Sequence, residues 1–391
     1  MVRGKKMNVV LLTNIMTPYR RFFYDQLYLE MKERKIDFHI VLMADTEPNR
    51  NWSYNEYKTE YSILLPHKTI TVSGVFIHLN YRIKELYKEL RPDIVICAGS
   101  YMYPALWRTL QLEKSMGYKT YYWSESHLSE VRNYGSIKLK IRDFIRRKVI
   151  GEFDGFWYAG KFSKEFIDCY AKPKAEYVFV PNLIDTCKFG VQEYSQEHIA
   201  NIKRNYGLDA SKLIMMTPAR LSAVKGLMDF LKLYQQVNNR EKVTYLIAGD
   251  GELKGEIERF CQKNKLDVHL LGYKSEQEML DLYSITDLFV LPSLSDPNPL
   301  TCIEACWSRL PLLVSRHVGN YPEIIQQGKN GYVFEYENAN KAISIIEELI
   351  DKDETWRNMA GNISYRVAEK LYNPELGVKR IVSETIRGAN K

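Results

Sequence analysis

The stretch DLFVLPSLSDPNPLTCIEA (Asp287–Ala305) runs from an apolar segment through a proline-punctuated turn into a helical pattern. Leu288–Leu291 shows no polar alternation, which describes a strand covered on both faces. Asn298 is a good N-cap and Pro299 suits the first helical position, so the spacing predicts a helix that starts at Pro299. A doubly covered strand followed at once by a helix is the repeat unit of a parallel α/β sheet.

The same unit recurs outward in both directions. Strand candidates occur at residues 8–14, 37–44, 93–99, 119–126 and 155–160, and again at 212–220, 243–249, 268–272, 288–293 and 310–315. Helical patterns such as RRFFYDQLYLEMKER and SEQEMLDLYSIT lie between them. Two such series in 391 residues predict two doubly wound, Rossmann-like domains, since one core seldom serves so long a chain. The predicted domains are 1–187 and 188–372, joined near VPNLIDTCKF (180–189). Residues 373–391 read as a helix returning to the first domain. Ligands of such sheets bind at the carboxyl ends of the strands.

Hydrophobic residues at 45% and charged residues at 26% describe a soluble globular protein. No apolar run approaches the ~18–20 residues of a membrane span. The N-terminal MVRGKKMNVVLLTN has too short an apolar run for a signal peptide and lacks a small-residue cleavage site, which favours a first strand and a cytoplasmic location. The six cysteines contain no C-x-x-C pair, and Cys302 and Cys306 fit core positions of a helix. Residues 1–190 carry 30 Lys/Arg against 21 Asp/Glu, and residues 191–391 carry 25 against 27. The first half is therefore suited to an anionic partner. No nucleic-acid recognition motif accompanies the basic excess, so nucleic acid is not an expected partner.

Several residues at predicted strand ends carry chemistry. LIAGDGELKG places Gly249 and Gly251 after a strand, where backbone can approach a nucleotide; the third glycine of a dinucleotide fingerprint is replaced by Lys254. TPARLSAVKG offers Arg220 and Lys225, a fork and a point charge able to hold a diphosphate, or equally two solvated surface cations. The amides of Leu300 and Thr301 begin a helix, where phosphate is attracted. Asp296 precedes that helix start and Glu304 follows one turn in, placing a carboxylate on each side for hydroxyls. That arrangement suits a sugar nucleotide; a capped helix with two surface acids would show the same letters. Asp351-Lys-Asp353, the one D-x-D, lies in a late polar turn, and no metal is expected.

In order and spacing, VPNLIDTCKF, TPARLSAVKG, YLIAGDGE, the segment 270–305 and LPLLVSRHVGNYPEIIQQGKNGYVF (310–334) resemble the retaining glycosyltransferases of family 4, glycosyl transferases group 1. LLTNIMTPYR (11–20) and WSESH (123–127) extend the likeness more thinly into the first half. The resemblance implies the GT-B fold, two facing Rossmann-like domains with a cleft between them, and a nucleotide diphosphate sugar as co-substrate without a cofactor. It implies that Glu304 holds the ribose, Arg220 and Lys225 the diphosphate, and Asp296 the donor sugar, aided by Asn298, Pro299, Leu300 and Thr301. Tyr273 and Lys274 would lie beside the base, with Gly249 and Gly251 in the nucleotide groove. In the first domain it implies Asn14, Thr17 and Tyr19 as cleft residues, with Arg20 a weaker candidate. His127 is the candidate for the family's sugar-touching histidine, with Ser124 or Glu125 as alternatives. The family has glutamate where Asp296 stands, and many relatives carry a glycine-rich loop where this chain has NIMTPYR.

The reaction so implied is transfer of a sugar, with retention, to an acceptor hydroxyl; the basic excess of the first half leads us to expect a lipid-linked or surface-polysaccharide acceptor. IKLKIRDFIRRKVI (137–150) has six basic residues against one acid, and its apolar positions 137, 141, 144, 145 and 149 fall at helical spacing. Its basic face is expected to lie on an anionic membrane surface, making the protein peripheral, although an ordinary basic packing helix would show the same letters. A nucleotide-sugar epimerase, a glycoside hydrolase using Asp296 and Glu304, and a non-catalytic nucleotide- or carbohydrate-binding relative are the alternatives.

Overall fold

The apolar runs form the strands of two parallel sheets in a computed structural model that describes residues 6–47, 53–72, 75–128, 136–189 and 194–389. Two units result, Met1–Leu183 with Pro374–Lys391, and Ile184–Asn373. The join expected after Cys187 falls earlier because the turn Thr186–Phe189 packs within the second unit, Phe189 lying edge-on to Tyr283 at 6.4 Å.

In the first unit the strands are β1 (Asn8–Thr13), β2 (Asp37–Leu42), β3 (Ser62–Leu64), β4 (His67–Val72), β5 (Val75–Asn80), β6 (Ile94–Ala98), β7 (Lys119–Ser124), β8 (Gly155–Tyr158) and β9 (Glu176–Phe179). Seven form one parallel sheet, β3-β2-β1-β6-β7-β8-β9, while β4 and β5 make a separate antiparallel hairpin. The sheet centre is fully apolar, with Val9–Leu12 and Ile94–Cys97 at 0% exposure. Each such side chain contributes ~1.5–3 kcal/mol, more than a surface ion pair supplies. The C-terminal helix Pro374–Ala389 belongs to this unit: Thr385 Oγ1 accepts from Trp157 Nε1 at 3.0 Å, and Gly388 O accepts from Lys119 Nζ at 2.7 Å.

The second unit holds β10 (Leu213–Pro218), β11 (Val243–Ala248), β12 (Val268–Gly272), β13 (Leu288–Leu291), β14 (Leu312–Ser315) and β15 (Gly331–Phe334). Their order is β12-β11-β10-β13-β14-β15, all parallel. The chain therefore winds one way from β10 and the other way from β13. The switch point between those two strands is where open α/β sheets place ligands.

The basic helix Ser136–Ile150 departs from its expected packing. Val149 and Ile150 are buried, but Ile141 and Phe144 are 55% and 62% exposed. Arg146 instead turns inward, its guanidinium over the rings of Phe166 (4.8 Å), Tyr101 (5.3 Å) and Tyr170 (5.9 Å). Cation–π contact lets an arginine occupy a slot that the spacing reserves for an apolar residue. The side chains of Ile137 and Lys138 lie outside the described residues.

Candidate active site

Every donor-site residue expected in the second unit follows the carboxyl end of a strand or opens the next helix. Arg220 and Lys225 follow β10, Gly249 and Gly251 follow β11, Tyr273 and Lys274 follow β12, and Asp296 through Thr301 follow β13. The β10 and β13 loops thus flank the switch point.

The two glycines exist for close approach. A Cβ on Gly249 would stand 2.0 Å from Ala219 O, and one on Gly251 2.4 Å from Leu221 O. Leu221 N donates to Asp250 O at 2.9 Å and Ala219 N to Ala248 O at 3.0 Å. The glycines thereby hold the loop that carries Arg220, whose own side chain is exposed.

Lys225 closes a short 3-10 turn, Ala223–Lys225. Its ammonium meets the Asp296 carboxylate at 2.5 Å. The sequence-based reading set these two on opposite tasks, phosphate and sugar, and the fold brings them into one ion pair.

The helix after Asp296 spans Leu300–Trp307. Its N-cap is Pro299 (φ −67°, ψ 129°) rather than Asn298, so the predicted start is one residue early. The reason is tertiary: Pro299 keeps an extended ψ while its carbonyl accepts from the buried Asn320 Nδ2 at 3.0 Å. Pro299 has no amide to offer, and the first-turn donors begin at Leu300 and Thr301.

Glu304, one turn further, accepts from the Tyr283 hydroxyl at 2.7 Å. Burial pushes its carboxyl up to about 7; the Tyr283 bond opposes that rise, and the charge of Glu276 adds to it. Tyr273 is 84% exposed, a flat ring open to solvent. Lys274 is engaged by Glu278 at 3.1 Å and lies over the Tyr206 ring at 5.3 Å. Asp351 pairs with Lys242 at 2.8 Å and Asp353 caps the helix Glu354–Tyr372, so both acids of the D-x-D have structural duties.

The segment 316–320 was missed as a supporting element. Asp296 N donates to His317 O (3.2 Å) and Asp296 O accepts from Gly319 N (2.7 Å). A Cβ on Gly319 would lie 1.9 Å from Pro297 O. The glycine of HVGNY was the available signal.

In the first unit, the Asn14 amide donates to Glu47 Oε1 at 2.9 Å. Glu47 Oε1 in turn lies 3.5 Å from Nε2 of His78, which is fully buried, and His78 Nδ1 is 2.9 Å from Thr69 Oγ1. Glu47 and His78 carried no sequence motif; the β4–β5 hairpin delivers His78. Thr17 is the N-cap of Pro18–Glu33 without a side-chain cap bond. Tyr19 lies in that helix, and its side chain falls outside the described residues. Arg20 bonds Glu125 at 2.7 Å and stacks over Trp123 at 4.3 Å, so the weaker candidate and Glu125 act as one unit. Ser124 and His127 are both buried at the end of β7, with the His127 ring 6.4 Å from Phe162.

Residues 198–365 match the family model described as "Glycosyl transferases group 1". This part of the chain is similar to the group 1 glycosyltransferases. The relatives include N-acetyl-alpha-D-glucosaminyl L-malate synthase of Bacillus anthracis, 24% identical over 54% of this chain and 53% of that one. Alpha-monoglucosyldiacylglycerol synthase of Acholeplasma laidlawii is 25% identical over 46% of this chain and 44% of its own. The chain thus spans about half the length of the curated relatives it matches. Among solved structures, Anabaena HepE in complex with UDP and glucose superposes with a TM-score of 0.71 at 15% identity, covering 97% of this chain and 99% of that one. The fold is accordingly GT-B. The matched group 1 region begins in the helix Gln196–Asn205 and contains each strand of the second sheet.

Proposed function

We propose that the protein is a retaining, metal-independent glycosyltransferase that moves a sugar from a UDP- or GDP-linked donor to a hydroxyl of a lipid-linked or polysaccharide glycan. The observation that carries this reading is the convergence at the switch point of Lys225, Asp296, the Leu300 helix start and Glu304. It is supported by the glycosyltransferase names of the relatives and by UDP in a structural neighbour.

In this reading Glu304 accepts from the ribose hydroxyls, while Arg220, Lys225 and the Leu300 and Thr301 amides receive the diphosphate. Tyr273 lies beside the base. As the bond from the anomeric carbon to the phosphate oxygen breaks, these preorganised groups stabilise the charge gathering on the departing diphosphate. The acceptor oxygen bonds to the same face of that carbon, and its proton passes to the leaving phosphate oxygen. No side chain is required as a dedicated base. Asn14, Arg20–Glu125 and His127 are assigned to the acceptor side, in the first unit. The helix 136–150 is assigned to an anionic membrane surface, since its exposed Ile141 and Phe144 stand among Lys140, Arg147 and Lys148.

A thermal-shift screen with UDP, GDP, ADP and their sugars tests the donor site. A shift with one nucleotide that disappears in Glu304→Ala is the expected result. No shift with any of them removes the reading, and donor conversion without acceptor replaces it with epimerisation.

A further inference from the structure

The Lys225–Asp296 pair is held by backbone on both sides. Val224 O accepts from Leu294 N (2.9 Å) and Ser295 N (3.3 Å), stitching the two loops together. Asp296 is further pinned by His317 O and Gly319 N, and a Cβ on Gly226 would lie 2.2 Å from Pro292 O. The two side chains are only 24% and 14% exposed. A pair so placed is not a chance surface contact; in a shielded site its attraction exceeds that of solvated charges.

We propose that Asp296 is a positioning residue that acts through Lys225, as the resident counter-ion that competes with a nucleoside diphosphate for the ammonium. The inference rests on the donor-site reading above and adds a role to it. An ammonium has three donors but one positive charge, and a carboxylate beside a diphosphate is like charge against like. When the sugar donor is bound, Asp296 is compensated by sugar hydroxyls. Once the sugar has been transferred those hydroxyls are gone, and the carboxylate returns to Lys225 against the product phosphate. Asp296 therefore weakens the product more than the donor and speeds release of the nucleoside diphosphate. Release is a common limit on turnover.

Calorimetric titration of UDP, GDP and ADP into wild type, Asp296→Asn, Lys225→Gln and the double variant tests this. The nucleotide bound by wild type should bind up to about fivefold tighter to Asp296→Asn, the upper end for a partly exposed ion pair, while kcat falls. Added salt should weaken binding more steeply in that variant, because its lysine is uncompensated. Lys225→Gln should weaken binding, and in its background Asp296→Asn should give no gain. Unchanged or weaker binding in Asp296→Asn, or a gain that survives in Lys225→Gln, overturns the inference while leaving the donor site intact. Failure of wild type to bind any of the three removes the donor-site reading and this inference with it. A thermal melt checks that each variant folds, and Asp296→Ser, expected to change affinity in the same direction, provides a second variant.

Discussion

The Tyr283 hydroxyl donates to Glu304 Oε2 at 2.7 Å, joining the helix Glu276–Ile285 to the one that starts at Leu300. Tyr283 is buried, so this bond sets both the orientation and the charge of the carboxylate assigned to the ribose. Burial holds the Glu304 carboxyl up at about 7, and the donated hydrogen bond restrains that rise.

A pH dependence follows with a defined sign. A carboxylate accepts from two ribose hydroxyls better than a protonated acid does, so nucleotide affinity should be full above pH 7. Below it, affinity should fall by up to about tenfold per pH unit, the limit for one proton. Tyr283→Phe removes the group that favours the ionised form and should move the midpoint upward. An unchanged midpoint in titrations from pH 5.5 to 8.5 would assign the dependence elsewhere.

Stability should run the opposite way. The Glu304 carboxyl titrates higher in the folded chain than its unfolded value of ~4.3. Its ionisation therefore costs stability as pH rises from the unfolded value, and the cost is complete above about 7. Glu304→Gln should raise the melting temperature at pH 8 and lose that advantage at pH 4. Equal shifts at both pH values would contradict the burial argument.

Gly249→Ala forces a methyl to within 2.0 Å of the Ala219 carbonyl. Displacement of the Arg220 loop should cost about 1–3 kcal/mol in urea unfolding and weaken nucleotide binding. Gly255→Ala is the contrast: its Cβ meets nothing nearer than Arg259 at 3.8 Å, and the residue lies in a helix. That change should stabilise by about 0.5–1 kcal/mol.

Ile141→Ser with Phe144→Ser should leave the fold unaltered, because both side chains are exposed. The pair should reduce co-sedimentation with phosphatidylglycerol vesicles, and replacing Lys140, Arg147 and Lys148 with glutamine should reduce it further. Arg146→Gln is expected to lower stability instead, since its guanidinium packs on three rings. Vesicle binding unchanged by both sets of exposed substitutions would dismiss the membrane role.

Much of the fold was legible from local pattern. The doubly covered strands announced themselves as unbroken apolar runs, as at Leu288–Leu291, where each residue is buried. The short edge strands β3, β9 and β15 and the β4–β5 hairpin were not legible. Their residues are few or half polar, and their pairing depends on neighbours remote in the chain. Arg146 shows the same limit, because nothing in helical spacing announces an aromatic cage built by Tyr101, Phe166 and Tyr170.

The letters alone located ten of the strands, each end to within two residues, and with them which side chains follow the carboxyl ends of the second sheet's strands. Periodicity and turn chemistry are short-range, so they survive in a bare sequence. Only the tertiary structure decided that Lys225 meets Asp296, that Tyr283 meets Glu304 and that Asn320 moves the helix cap to Pro299. Those contacts follow from strand order and loop packing, which place residues far apart in the chain within hydrogen-bond reach and leave no trace in the spacing of either partner.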